Sequence, residues 1–183
     1  MSSRPEIASV EEVYRGRLFS VKHVRAIYDG REVVREVVEH PGSVAVVALD
    51  EDGRFLLVTQ YRVGVDEITL EIPAGTLERG ESPEECALRE VEEETGYRAR
   101  ELRLIAKTYT APGYSSETLY IYKAEAARGS GTRHEPDENI KVVKMSADEV
   151  LKAIRENEIN DLKSIAALLL YIYSTSGISG VSA

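Results

Sequence analysis

Acidic side chains are concentrated between Gly75 and Tyr97, where eight glutamates stand against only two arginines. Glu90, Glu93 and Glu94 are three and four residues apart, so on a helix they project from neighbouring parts of one face. Like charges at this spacing repel one another, and a hard divalent cation, which prefers oxygen ligands, would relieve the repulsion. A solvated acidic surface is the alternative, and the spacing alone leaves both interpretations open.

Local signals predict the helix that would carry these carboxylates. The sequence Ser82–Glu85 combines a capping serine, a proline at the first helical position and a glutamate that completes a capping box. Gly96 suits the left-handed residue that commonly follows a helix. The expected helix therefore spans residues 83–95. Its core-facing side, opposite the acidic face, is expected to carry Leu88, Val91 and Thr95.

The rest of the chain predicts a sheet with two further helices. Apolar and polar residues alternate through the first half, which is typical of half-buried strands. The pairs Asp29–Gly30 and Asp52–Gly53 predict hairpins, because glycine accepts positive φ without steric cost. A capping box at Ser146 and an apolar run after Asp161 predict two C-terminal helices. Strands are expected at 18–28, 31–39, 43–50, 54–61, 67–72, 101–109, 117–125 and 139–145.

Length, composition and charge exclude several classes of protein. The 183 residues and 20.3 kDa suit one domain, and no apolar run approaches the roughly 20 residues of a membrane helix. The N-terminus lacks the apolar stretch of a secretory signal, and the single cysteine, Cys86, excludes internal disulfides and cysteine-rich zinc sites. A net charge of -9 and a pI near 5.0 disfavour general attraction to nucleic acid. We therefore expect a cytoplasmic globular protein that binds neither nucleic acid nor a membrane.

The acidic helix is part of a longer pattern that resembles a known family. Gly75 is followed after five residues by Glu81 and, after seven more, by the sequence REVEEETGY at residues 89–97. This order resembles the Nudix box, G-x5-E-x7-R-E-U-x-E-E-x-G-U with U hydrophobic, at every specified position. Tyr97 stands where an aliphatic residue is more usual. The resemblance implies an α+β fold, an α/β/α sandwich with a mixed β-sheet, and hydrolysis of nucleoside diphosphates linked to another moiety.

The resemblance also implies roles within the box. Glu90 and Glu94 would be the principal ligands of Mg²⁺ or Mn²⁺, with two or more ions in each site. Glu93 would ligate or orient, and the Ala74 carbonyl would be a further ligand. Glu81 and Arg89 would hold the loop and the helix together. The residues expected to be structural in the box are Gly75, Glu81, Arg89 and Gly96.

Segments outside the box resemble the ADP-ribose pyrophosphatase branch of the family. A proline 16 residues after Gly96 marks this branch, and the sequence QYR at 60–62 resembles a strand end whose arginine contacts substrate. The sequence EIPAG at 71–75 resembles the lead-in to the box, while 35–42 and 160–165 resemble a strand and the start of the last helix. The substrate-binding residues implied by this resemblance are Arg35, Arg62, Glu71, Pro112 and Tyr114.

A general base is implied in an acidic loop that follows the box. The segment 133–139, RHEPDEN, precedes the expected last strand, and alignment through that strand favours Glu138, with Glu135 second. A solvated acidic loop is the alternative. The candidate catalytic carboxylates are therefore Glu138, Glu135 and, within the box, Glu93.

The leading hypothesis is metal-dependent hydrolysis of the pyrophosphate bond of ADP-ribose to AMP and ribose 5-phosphate. Other nucleoside diphosphate sugars such as GDP-mannose or an ADP-sugar, dinucleoside polyphosphates, and a non-catalytic sensor of ADP-ribose remain alternatives. Residues 1–40 are expected to form an N-terminal antiparallel β-hairpin segment that mediates homodimerisation, with Arg35 reaching the partner's substrate. Residues 41–174 would form the hydrolase domain, and 175–183 a frayed tail rich in serine and glycine.

Overall fold

The computed structural model describes residues 4–129 and 140–175, and the chain divides into two compact units. The first unit comprises Met1–Gly42 with Thr108–Leu119, and the second comprises Ser43–Lys107 with Tyr120–Ala183. In chain order the elements are β1 (Glu6–Arg15), β2 (Ser20–Tyr28), β3 (Arg31–Glu39), β4 (Ser43–Leu49), β5 (Phe55–Arg62), β6 (Glu67–Glu71), β7 (Ala74–Thr76), α1 (Pro83–Thr95), β8 (Tyr97–Tyr109), β9 (Thr118–Arg128), β10 (Lys141–Met145), α2 (Ala147–Arg155) and α3 (Leu162–Thr175).

The first unit contains an antiparallel sheet of three strands in the order β1-β2-β3. Tyr28 pairs with Arg31, so Asp29 and Gly30 form a two-residue turn, and both have positive φ, 48° and 79°. This backbone conformation matches the twist of the flanking strands. The predicted N-terminal hairpin is therefore confirmed.

β1 is an additional strand that the sequence pattern does not reveal. Its register with β2 shifts between Ile7 and Ser9 and again between Glu12 and Tyr14. Each irregularity of this kind interrupts the alternation of apolar and polar residues along a strand. Every residue of β1 is exposed, so burial imposes no period-two pattern on its sequence.

The second unit is built on a mixed sheet in the order β10-β5-β4-β9-β8, with β6 paired to β5 and β7 paired to β4. The central strand β4 is buried from Val44 to Ala48, and both α1 and α3 contact it. A strand with consecutive buried residues is covered on both faces. The expected α+β class and sandwich of helices about a mixed sheet are confirmed.

Helix α1 has the predicted bounds but not the predicted buried face. Its capping box is present, and the residue after it has φ 73°. Val91 and Thr95 are buried as expected, whereas Leu88 is 42% exposed, so that part of the prediction is wrong. The buried stripe runs through Ala87, Val91 and Glu94, which follow one another at spacings of four and three. The acidic side of α1 therefore overlaps its core-facing side.

Helix α3 continues through Thr175, the first residue of the segment expected to fray, and the remaining residues of that segment lie outside the described residues. Among the helices of residues 4–129 and 140–175, none combines the length and the apolar character needed to cross a membrane.

Candidate active site

The three predicted metal-binding glutamates of α1 lie at different depths. The Glu93 side chain is 40% exposed and the Glu90 side chain 13% exposed, whereas Glu94 as a residue is only 4% exposed. A buried carboxylate is stable only with hydrogen-bonding or charged partners, because burial penalises its charge. The site must therefore supply such partners along this turn of the helix.

Arg89 is the cationic centre of the box. Its Nε and Nη2 donate to the two carboxylate oxygens of Glu81 at 2.8 and 3.1 Å, which joins the loop before α1 to the helix. Its Nη1 donates to Glu90 Oε1 at 2.7 Å and to Glu93 Oε2 at 3.0 Å. The hydrogen bond from Arg89 holds the pKa of Glu81 down at about 2, and the same bond raises the pKa of Arg89. Both groups are charged at neutral pH.

Glu90 and Glu94 meet the same short stretch of backbone at β7. Glu94 Oε2 accepts a hydrogen bond from the Ala74 N–H at 3.0 Å. A Cβ atom on Gly75 would lie 1.7 Å from Glu90 Oε1, so only glycine leaves space for that carboxylate. The strand itself is fixed to its neighbour, since Val46 N–H donates to the Pro73 carbonyl at 2.8 Å. Two of the predicted ligands, Glu90 and Glu94, thus border Ala74–Gly75, where the Ala74 carbonyl is a further predicted ligand.

These residues fit a hard divalent cation by the chemistry of their donors. Carboxylate and carbonyl oxygens are the ligands that Mg²⁺ prefers in proteins, and the space at Gly75 admits the Glu90 carboxylate beside the backbone. Within residues 4–129 and 140–175, no three acidic, histidine or cysteine side chains are already grouped closely enough to hold an ion. Arg89 instead pairs with Glu90 and Glu93.

Glu71, at the end of β6, is a second charged centre. Its carboxylate is 3% exposed and accepts hydrogen bonds from Arg62 Nε and Nη2, each at 2.8 Å. Lys163 Nζ and Thr69 Oγ1 donate to the same carboxylate. Burial alone would raise the pKa of Glu71, but Arg62 and Lys163 outweigh burial and hold this pKa at about 2. Two cations therefore share one buried carboxylate.

The start of α3 supplies contacts to β6 that were not predicted from the sequence. Lys163, which binds Glu71 from 92 residues further along the chain, also donates to Asp161 Oδ2 at 2.9 Å. Ser164 Oγ accepts a hydrogen bond from the Ile72 N–H at 3.0 Å. The segment 160–165 resembles a helix start, and that resemblance carries no information about a charged partner so distant in sequence. The structure therefore identifies Lys163 and Ser164 as residues of the candidate site that the sequence analysis did not assign.

Arg62 and Lys163, the two cations paired with Glu71, both line one cleft. This cavity of about 450 Å³ lies within the range typical of ligand sites. It is bounded on one side by the chain between β5 and β6 and on the other by the start of α3. Its charged lining residues are Arg62, Glu67, Glu71, Asp161 and Lys163.

The other predicted substrate-binding residues belong to the first unit. Arg35 is exposed on β3, where its Nη1 donates to the Val34 carbonyl at 3.3 Å. Pro112 and Tyr114 are exposed in a turn that is bonded to β3, since Val38 N–H donates to the Tyr114 carbonyl at 2.7 Å. The first unit therefore brings Pro112 and Tyr114 to the strand that carries Arg35.

Two predicted catalytic carboxylates, Glu135 and Glu138, lie outside the described residues.

The single cysteine has no place in the chemistry of the site. Cys86 lies on α1 with its side chain buried in the core, and burial raises the pKa of its thiol to about 12. A thiol with this pKa is not a nucleophile at neutral pH.

Comparison with known proteins finds a matching domain family and related sequences. The sequence profile of the NUDIX domain matches residues 39–168, a range that includes the box, Arg62, Glu71 and Lys163. The ADP-ribose pyrophosphatase of Bacillus subtilis (strain 168) is 37% identical over 162 residues, which cover 86% of this chain and 87% of that protein. The methanol dehydrogenase activator of Bacillus methanolicus is 35% identical over 162 residues, again with 86% and 87% coverage.

A solved structure resembles the chain over almost its whole length. The crystal structure of an ADP compounds hydrolase matches with a TM-score of 0.84 and 28% sequence identity, covering 99% of each chain. The similarity therefore extends over the N-terminal sheet as well as the box.

Proposed function

The chain belongs to the Nudix family, and we propose that it hydrolyses the pyrophosphate bond of ADP-ribose to give AMP and ribose 5-phosphate. The observation that carries this proposal is the placement of Glu90 and Glu94 at Ala74–Gly75, within a complete Nudix box. Identity of 37% to an ADP-ribose pyrophosphatase supports this choice of substrate. Water supplies the oxygen that joins one phosphorus, and the bridging oxygen leaves with the other phosphate.

Hydrolases of this family need a divalent metal ion. We assign it as Mg²⁺, with Mn²⁺ as the alternative, and infer two or more ions in each site. The carboxylates of Glu90 and Glu94 and the Ala74 carbonyl would hold them, with Glu93 ligating or orienting. When bound, such ions neutralise phosphoryl oxygens and acidify a water molecule.

Two arginines, each paired with a glutamate, have the structural and substrate-binding roles in this proposal. Arg89 and Glu81 hold the loop and α1 together through their bidentate ion pair, so Gly75 and Glu90 keep their close approach. Arg62 binds the substrate diphosphate, because a guanidinium matches the geometry of phosphate oxygens. Glu71 positions Arg62 by occupying Nε and Nη2 of its guanidinium.

Glu138 is the general base in this proposal, and Glu135 is the second candidate. The base accepts the proton of the attacking water, which contributes typically 10²–10⁴-fold to the rate. The acidic sequence between residues 133 and 139 supports this assignment.

A panel of substrates tests the proposed function. Phosphate-containing products are measured for ADP-ribose, an ADP-sugar, GDP-mannose and diadenosine polyphosphates, each with Mg²⁺ and with EDTA. We expect the highest kcat/KM for ADP-ribose and no turnover in EDTA, because metal ligation carries the charge stabilisation. Glu94→Gln protein, which lacks one proposed ligand charge, serves as the matched control for contaminating hydrolases.

Other outcomes of the panel have distinct meanings. A higher kcat/KM for GDP-mannose or for a dinucleoside polyphosphate contradicts the assignment of ADP-ribose while retaining a Nudix hydrolase. Tight binding of ADP-ribose without turnover of any compound identifies a sensor and contradicts the enzymatic proposal.

We further propose that the protein is a cytoplasmic homodimer joined through residues 1–40, with residues 41–174 as the hydrolase domain. The exposed apolar side chains of β1 support this role. Ile7, Val10, Val13 and Tyr14 are between 44% and 55% exposed, and edge strands with such side chains are typical of interfaces. Arg35 would reach the substrate of the partner subunit, where a guanidinium can stack on the base and pair with phosphate.

Mixing two inactive variants tests the shared site. Arg35→Ala and Glu94→Gln homodimers each lack one component in both sites, whereas a heterodimer would contain one intact site. Complete exchange in an equal mixture should restore about a quarter of wild-type activity. Light scattering that shows a monomer, or no recovery after exchange demonstrated by mass spectrometry, contradicts the proposal.

A further inference from the structure

We propose that Lys163 is a positioning residue that strengthens binding of the substrate diphosphate by sharing the charge of Glu71, so that Arg62 keeps positive charge for the substrate. This inference rests on the proposed function, because it assigns Arg62 to the diphosphate. Lys163 itself is not required to touch the substrate.

The contacts of Glu71 distribute its charge between two cations. Arg62 uses Nε and Nη2 for Glu71, which leaves Nη1 outside this pair. Lys163 Nζ contacts Glu71 Oε2, the oxygen that also accepts from Arg62 Nη2. With both donors on one oxygen, the two cations share the single negative charge of the carboxylate.

The position of the cluster makes this distribution relevant to an anionic ligand. Arg62 and Lys163 line the same cleft, and their side chains are 40% and 22% exposed. Asp161 contacts Lys163 at 2.9 Å, so Arg62, Lys163, Glu71 and Asp161 together are neutral, and Glu67 gives the lining of the cleft a net charge of -1. Without the lysine, one further negative charge at the cleft would be uncompensated. That charge would repel a diphosphate, and the effect is large where solvent screening is incomplete.

The expected kinetic signature is a change in KM. Attraction between Arg62 and the diphosphate acts on the bound substrate and on the transition state alike, so its loss raises KM and leaves kcat nearly unchanged. Lys163→Gln removes the charge but keeps an N–H donor for Glu71. We expect this variant to raise KM about tenfold with kcat within about threefold of wild type. Lys163→Arg, which keeps the charge, should restore KM to within about threefold.

A matched control separates this effect from the loss of any lysine. Lys152 lies on α2, is 65% exposed and pairs with Glu156 at 3.8 Å, and it does not line the cleft. Lys152→Gln changes the net charge of the protein by the same amount and should leave KM and kcat unchanged. An equal rise in KM for both variants would overturn the inference, as would an unchanged KM in folded Lys163→Gln.

A second pair of variants tests whether Lys163 acts through Glu71. In a Glu71→Gln background, position 71 has no carboxylate charge for Lys163 to share. The positive charge of Lys163 is then balanced by Asp161. Adding Lys163→Gln there should raise KM less than about threefold. A tenfold rise would show that the lysine acts directly and would overturn the proposed route. If Lys163→Gln alone unfolds, Glu71→Gln and the Glu71→Gln/Lys163→Gln double variant replace the first comparison, because neither leaves a carboxylate buried at position 71.

Calorimetric binding of ADP separates this inference from the proposed function. ADP keeps the diphosphate, and its Kd does not depend on turnover. If the wild type fails to hydrolyse ADP-ribose, a tenfold weaker Kd for ADP in Lys163→Gln still supports the inference. An unchanged Kd contradicts it whatever the substrate panel shows.

Discussion

Two charged clusters of the second unit use the same residue types in opposite proportions. Around Arg89, one guanidinium contacts the carboxylates of Glu81, Glu90 and Glu93. Around Glu71, one carboxylate contacts two cations. The first cluster has an excess of negative charge, which suits a metal ion, and the second has a second cation beside its carboxylate, which suits an anionic substrate. The proportion of charges, rather than their mere presence, distinguishes the two proposed roles.

Depressed pKa values do not make that distinction. Glu81 and Glu71 both have a pKa of about 2, although Glu81 belongs to the cluster around Arg89 and Glu71 is paired with two cations. A carboxylate held in an ion pair loses its proton readily in either setting. Low carboxylate pKa values therefore mark structural ion pairs here, and the site must be identified from the identity and number of the partners.

Removing a ligand charge from the proposed metal site on α1 should have the largest effect on activity. We expect Glu94→Gln to lower kcat by roughly 1000-fold, because metal ions supply several kcal/mol of charge stabilisation. The glutamine can still accept the hydrogen bond from the Ala74 N–H, so the melting temperature should be unchanged or higher. Glu92→Gln, on the same helix but paired with Arg98, is the control and should retain activity. Full activity in Glu94→Gln would contradict the metal site.

Loss of the proposed base should have the next largest effect. Glu138→Gln is expected to lower kcat about 100-fold with little change in KM, since a base acts in the transition state. Steady-state kinetics of Glu138→Gln and Glu135→Gln decide between the two carboxylates. If only Glu135→Gln shows the loss, the base is Glu135 and the alignment of this loop is displaced by three residues.

The sequence predicts the local parts of the fold and the site well. The capping box at Ser82 and the glycine after the helix determine the bounds of α1 through contacts within a few residues. The Asp29–Gly30 turn is equally local, because it depends on two backbone conformations. The spacing of the box likewise brings Glu90 and Glu94 to β7 once α1 forms.

The parts that were not predicted depend on contacts distant in sequence. Lys163 and Glu71 are 92 residues apart, and no periodicity or spacing connects them. The exposure of Leu88 depends on which side of α1 faces β4, and the buried Glu94 shifts that side away from a purely apolar stripe. Tertiary packing therefore sets the features that local patterns leave open.

A smaller effect on the acidic cluster should follow from filling the space at Gly75. In Gly75→Ala the new Cβ would lie 1.7 Å from Glu90 Oε1, so the carboxylate must move. We expect the Mg²⁺ concentration for half-maximal activity to rise about tenfold, because displaced ligands weaken metal binding. Gly113→Ala, where a Cβ meets no atom within 4 Å, is the control. An unchanged Mg²⁺ requirement would contradict the role of Glu90 as a ligand beside this backbone.

The smallest expected effect concerns stability in acid, where the two clusters should behave alike. Glu71 and Glu81 have folded pKa values of about 2, below the ordinary 4.5, so their contribution to stability is complete above pH 4.5 and is lost as the pH falls toward 2. Each glutamine variant should start with a lower melting temperature at pH 7 and lose about 3 °C less than wild type between pH 5 and pH 3. Thermal unfolding followed by circular dichroism measures this, with the exposed Glu125→Gln as control. If Glu71→Gln keeps the full acid sensitivity while Glu81→Gln loses it, the Glu71 carboxylate is not held by its two cations as the structure describes.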